Sequence, residues 1–265
     1  MSFNDFEKLS FRNLDCEIFY WHKKGNSSKY IIFFHGAGCD HFLFEKQKEI
    51  FVNHNIIVWD ARGHGLSKLD KNKKFSFKDM YDDCLKLLEL HNIKKAVFIG
   101  QSMGGNLAQE IAYYNPDMAE KLVLIDCTKN TQKLSPMDKF TLKISRPIFK
   151  MYPWKTLVKQ SADACGNTEY TKNYVRQCFE KMEKDDFIDI MMSLLLCLHE
   201  DSEYKFIQPV LLICGEDDKS GNIKKIMISW PQSDENCKLY MIKNAGHSSN
   251  QDNPEDVNKS ILEFI

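Results

Sequence analysis

The run Ala96-Val-Phe-Ile-Gly100-Gln-Ser102-Met-Gly104-Gly105-Asn-Leu-Ala-Gln-Glu-Ile-Ala-Tyr-Tyr114 admits few folds. Ala96 to Ile99 form a short continuous apolar stretch, the pattern of a strand buried on both faces of a parallel sheet. From Met103 onward, Leu107, Ala108 and Ile111 recur at helical spacing until Asn115-Pro116 ends the pattern. The chain therefore reverses between strand and helix within the Gly-x-Ser-x-Gly turn. That forces unusual backbone angles on Ser102 and requires neighbours without side chains, a demand Gly100 and Gly104 meet. A serine on such a turn projects its hydroxyl above the sheet, beside the free N–H groups of the following helix. Met103 N–H is the expected first donor to an oxyanion.

Around this unit, apolar runs recur at 16–21, 30–34, 55–59, 121–125, 210–214 and 238–242. Helical patterns are predicted over 42–53, 77–91, 103–114 and 254–265. Alternation of this kind indicates an α/β fold built on a mostly parallel sheet flanked by helices. The interval from 129 to 207 breaks the rhythm, offering helix-like segments rich in large apolar residues, Phe140, Leu142, Phe149, Trp154, Phe179, Phe187 and Met191 among them. It is too long for a loop and is read as an inserted all-helical cap folded over the edge where Ser102 emerges. The expected domains are thus a core of 1–128 and 208–265 and a cap of 129–207. The apolar patch Phe187–Leu198 is read as a buried helix.

With 36 basic and 37 acidic residues mixed along 265, the chain has no electrostatic footprint for nucleic acid or an anionic membrane. The densest basic run, Lys68 to Lys74, reads as a solvated loop. Nine scattered cysteines without a C-x-x-C pair suggest neither a disulfide framework nor a zinc site, and reduced thiols imply the cytoplasm. No basic start followed by an apolar stretch is seen at the N-terminus, and no run is long enough to span a membrane.

A serine hydroxyl needs a base, and the base needs an orienting carboxylate. Gly215-Glu216-Asp217-Asp218 follows one strand and Ala245-Gly246-His247 follows the last. Loops leaving the carboxyl ends of parallel strands gather at one rim, so Ser102, an aspartate of the first loop and His247 are expected together there. His22, His54, His91 and His199 follow no glycine turn at a strand end and read as structural or exposed.

Together with His35-Gly36-Ala37-Gly38 and Asp60-Ala61-Arg62-Gly63-His64-Gly65, these blocks resemble the α/β-hydrolase superfamily, in its small esterase, lactonase and C–C hydrolase branch with a helical lid. The resemblance implies the catalytic set Ser102, Asp218 and His247, selecting Asp218 over Asp217, with Asp126 as competitor for the acid. It puts the second oxyanion donor at the Ala37 N–H. A serine at the turn speaks against the dehalogenases and epoxide hydrolases of the superfamily, which carry an aspartate there. His35, Gly36, Asp40, His41 and Gln101 are candidate pocket residues; Asp40 equally reads as a cap for the helix starting near Phe42, and His35 as structural. Arg62 and His64 are expected to brace their loop. Arg146 and Arg176 could meet a carboxylate-bearing substrate or simply be solvated.

The expected activity is hydrolysis of a small ester, lactone or thioester through an acyl-enzyme, with a small apolar or mixed acyl or ring compound as partner and no cofactor or metal required. C–C bond hydrolysis, acyl transfer to an alcohol or peroxide, and a non-catalytic ligand-binding role are the alternatives.

Overall fold

A computed structural model of the protein describes residues 3–265, and their side chains except those of 137–143, 195 and 196. Phe140 and Leu142 of the expected cap thus lie outside the described side chains. Eight strands form one sheet: β1 (Glu7–Asn13), β2 (Cys16–Lys23), β3 (Tyr30–Phe34), β4 (Asn55–Trp59), β5 (Ala96–Gln101), β6 (Ala119–Ile125), β7 (Val210–Gly215) and β8 (Cys237–Ile242). Their order is β1-β2-β4-β3-β5-β6-β7-β8. Only β1 with β2 and β2 with β4 pair antiparallel; the rest is parallel.

Strands β4, β5 and β7 are buried at every position, which explains their unbroken apolar runs. Helices cover both faces: α1 (Phe77–Leu90), α2 (Met103–Tyr114), α7 (Ile223–Ser233), α8 (Ser249–Asp252) and α9 (Pro254–Phe264) belong to the strand–helix succession. Ser76 caps α1 by accepting the Asp79 N–H at 3.2 Å, and Met80, Cys84, Leu87 and Leu88 bury one face of that helix.

Between β6 and β7 stand α3 (Pro136–Met151), α4 (Trp154–Cys165), α5 (Glu169–Glu180) and α6 (Lys184–Ser193). Several hydrogen bonds tie this insert to the core, among them Ser248 N–H to Cys165 O at 2.7 Å and Asn167 Nδ2 to Asp217 Oδ2 at 2.7 Å. Asp252 accepts from the backbone N–H groups of Asn167 (2.7 Å), Thr168 (2.9 Å) and Gly246 (2.9 Å). Tyr174 Oη donates to Asp40 Oδ1 at 2.9 Å.

Two expected helices differ. Residues 42–53 form a 3-10 segment, His41–Gln47, followed by turns. Side-chain amides of α8 dock on this segment, Asn250 Nδ2 donating to Leu43 O at 2.9 Å and Gln251 Nε2 to Phe42 O at 3.3 Å. The patch Phe187–Leu198 is also not one helix. Ser193 Oγ bonds back to the carbonyls of Asp189 and Ile190, and the chain tightens into a 3-10 turn over Leu194–Cys197. Among the described residues no helix is long and apolar enough to cross a membrane.

Candidate active site

Ser102 sits between β5 and α2 at φ 51° and ψ −115°. That conformation costs a non-glycine residue about 1–3 kcal/mol and persists only where the surroundings impose it. The imposing contacts are backbone to backbone. A Cβ on Gly100 would lie 2.2 Å from Gly104 O, and one on Gly104 would lie 1.9 Å from Phe34 O. The Ser102 N–H donates to Ile125 O at 2.9 Å, tying the turn to the end of β6.

The loop after β8 brings His247 over this turn. Its Nε2 lies 3.1 Å from Ser102 Oγ, and its Nδ1 lies 3.0 Å from Asp218 Oδ2. Asp218 stands on the loop after β7, where its other oxygen accepts the Ser220 N–H at 2.7 Å. A carboxylate can only accept, so Nδ1 carries hydrogen and Nε2 of the neutral ring accepts from the serine hydroxyl.

Burial raises the Asp218 carboxyl, but the hydrogen bond and charge of His247 and the Ser220 amide outweigh it and hold the pKa below the ordinary value. For His247, burial opposes protonation; the hydrogen bond and charge of Asp218, helped by Asp126, win, and its pKa is raised above 6.5.

Beside Ser102 runs the loop after β3. A Cβ on Gly36 would lie 3.4 Å from Ser102 Cβ and 2.1 Å from Gln101 Oε1, so any side chain there would have to displace the Gln101 amide. Among the described residues, the N–H groups of Ala37 and Met103 donate to no protein acceptor. Both border the Ser102 turn, one from each side.

The other nominated residues do different work. His35 is held as a neutral brace, Nδ1 donating to Gly36 O at 2.8 Å and Nε2 accepting the Ala61 N–H at 2.9 Å. Burial pushes its pKa down, and that of His64 to about 3. Gln101 turns its amide to the His247 carbonyl at 2.7 Å. Asp40 does cap the segment beginning at His41, accepting the Phe42 N–H at 3.0 Å. His41 stacks on Trp21 with ring centroids 3.4 Å apart and bonds Asp60 at 2.8 Å. Asp40 and His41 also line a cavity of about 520 Å³ together with Trp21, Gly38, His64 and Met182.

Arg62 is fully buried and clamps Asp83 through two nitrogens at 2.6 and 2.8 Å, fastening its loop to α1. Arg146 pairs with Asp189 and Arg176 with Asp163, so both cations are already engaged within the insert.

Asp126, the competing acid, does not bond the imidazole. It is fully buried, and its oxygens accept the N–H groups of Gly215 (2.8 Å) and Ser249 (2.9 Å). Asp126, Cys214 and Asp218 bring their ligating atoms within 4.8 Å of one another. Each carboxylate is already satisfied by donors of the chain. Sequence reasoning missed Gln101 as a brace and Asp252 as a tie between the insert and the His247 loop; neither role has a local signature.

The fold has counterparts among known proteins. Bacillus subtilis hydrolase YugF is 23% identical over 262 residues, covering 94% of each chain. A thermophilic esterase from Thermogutta terrifontis superposes with a TM-score of 0.76 at 19% identity, covering 97% of both chains. The enol-lactonase of Burkholderia xenovorans gives 0.77 at 18% identity, covering 94% of this chain and 96% of the other. The model of the Alpha/beta hydrolase family matches residues 31–260, and with that span of the chain accounted for, the protein belongs to the alpha/beta hydrolase family.

Proposed function

We propose that the chain is a serine hydrolase cleaving small carboxylic esters, lactones or thioesters through Ser102, His247 and Asp218. The observation that carries this reading is the single imidazole within hydrogen-bond reach of both the strained Ser102 hydroxyl and a buried carboxylate. Likeness to proteins named as esterase and enol-lactonase supports it.

In the reaction, Ser102 Oγ attacks the substrate carbonyl carbon while His247 Nε2 takes its proton. The negative charge formed on the carbonyl oxygen is held by the N–H groups of Ala37 and Met103. Asp218 keeps the ring in the required tautomer and stabilises the imidazolium. That proton then passes to the leaving group, and the acyl-serine is hydrolysed by a water that His247 deprotonates. The helices α3–α6 act as a cap over this rim; the cavity of about 520 Å³ is lined by Gly38 to Phe42 of the core and by Cys178, Lys181 and Met182 of the insert, with Ser102, Asp218 and His247 outside its lining.

The test is turnover of p-nitrophenyl esters, lactones and acyl thioesters by the wild type and Ser102→Ala. Turnover of at least one class, abolished in the variant, is expected. Undiminished turnover by the variant would contradict the reading.

A further inference from the structure

We infer that Asp126 is a positioning residue for the acid–base pair, one carboxyl that ties the Asp218 loop to the His247 loop and contributes to the charge at the imidazole. The inference rests on the serine-hydrolase reading above and concerns a group that touches neither the serine nor a substrate.

The geometry is specific. Asp126 closes β6 at φ 46°, a left-handed conformation that is uncommon outside glycine and asparagine. One oxygen holds the N–H of Gly215, three residues before Asp218; the other holds the N–H of Ser249, two residues after His247. The two loops also touch directly, since a Cβ on Gly215 would lie 2.2 Å from Gly246 O. Removing the carboxyl leaves two buried amides without acceptors and frees both loops at once. A role confined to stability would stop there.

The charge carries the inference further. The titratable groups facing Asp126 are Asp218 and His247 from the two loops, Cys214 from β7 and its own neighbour Cys127. Two buried carboxyls this close cannot both ionise cheaply. Burial first, then the charge of Asp218, raise Asp126 to about 7, against the opposing pull of His247 and the two amides. Asp218 stays ionised. Asp126 is therefore the member of the pair that takes up a proton near neutrality. As an anion it favours the imidazolium form of His247.

The experiment compares kcat, KM and their pH dependence for p-nitrophenyl acetate in wild type, Asp126→Asn and Ser102→Ala. Asp126→Asn should lose about tenfold in kcat with KM within about twofold, the scale of a residue supporting a catalytic side chain. Its acid limb should move to lower pH, because an imidazole without that neighbouring anion protonates less readily. Melting curves add a readout independent of activity. A carboxyl whose folded pKa is raised loses stability as pH climbs from the unfolded value, 3.8, to about 7. The wild type carries this loss and the variant does not, so the gap in Tm should narrow over that range.

A folded Asp126→Asn with wild-type kcat and an unmoved acid limb overturns the inference while leaving the role of Ser102 intact. Activity surviving in Ser102→Ala overturns the hydrolase reading instead. Should Asp126→Asn not fold, infrared spectra of the wild type decide: a protonated-carboxyl C=O band lost as pH rises through about 7 upholds the inference, and its absence overturns it.

Discussion

Gln101 donates its side-chain amide to the carbonyl oxygen of His247 at 2.7 Å, so the residue preceding the Ser102 turn holds the loop that carries the imidazole. Strand β5 thereby fixes the serine through its backbone and the histidine through a side chain. Gln101→Ala should lower kcat about tenfold with KM nearly unchanged, since the loss is in alignment and not in substrate contact. It should cost about 1 kcal/mol of stability for the buried carbonyl left without its donor. Steady-state kinetics with urea unfolding of the same sample checks both.

Asp218→Asn should reduce kcat/KM by a factor on the order of 10³–10⁴, because an amide can hold the ring in the wrong tautomer and cannot stabilise the imidazolium. The sign of the pH effect follows from the raised His247 pKa. On the proposed mechanism His247 accepts a proton only when neutral, so wild-type kcat/KM should rise with pH through a value above 6.5, and in the variant that rise should shift to lower pH. A pH–rate profile of both proteins is the measurement.

Gly104 and Gly221 separate crowding from backbone strain. A Cβ at Gly104 meets Phe34 O at 1.9 Å, whereas Gly221 has φ 57° and nothing within 4 Å. Gly221→Ala should cost about 1–2 kcal/mol and leave activity intact. Gly104→Ala should cost several-fold more or abolish the folded protein, as unfolding curves would show.

Arg62→Ala should destabilise the fold by about 3–5 kcal/mol, because Asp83 would be left as an unpaired buried charge. Equilibrium denaturation with a stability loss below about 1 kcal/mol would show that the Asp83 clamp is not holding the loop.

The parallel strands were legible because burial on both faces leaves continuous apolar runs, as at Asn55–Trp59 and Val210–Gly215. β1 was not. Glu7–Asn13 is an exposed edge strand, and its charged residues look like a solvated leader. Helix α7 was hidden in a similar way: Ile223, Met227 and Trp230 bury one face at helical spacing, but Pro231 within the helix disguises it. The candidate site was readable where chemistry demands residue types at strand ends, as with Ser102 and His247. The choice between Asp218 and Asp126 was not readable from order along the chain. It depends on which carboxylate faces Nδ1, and Asp126 spends both oxygens on the backbone amides of Gly215 and Ser249.

The most direct measurement is the intact mass of protein treated with a fluorophosphonate, followed by peptide mapping of the adduct. One phosphonyl group on Ser102, formed quickly by the wild type and strongly slowed in His247→Ala, is the expected result. Labelling elsewhere, or equal rates in the two proteins, would contradict the claim that His247 activates the Ser102 hydroxyl.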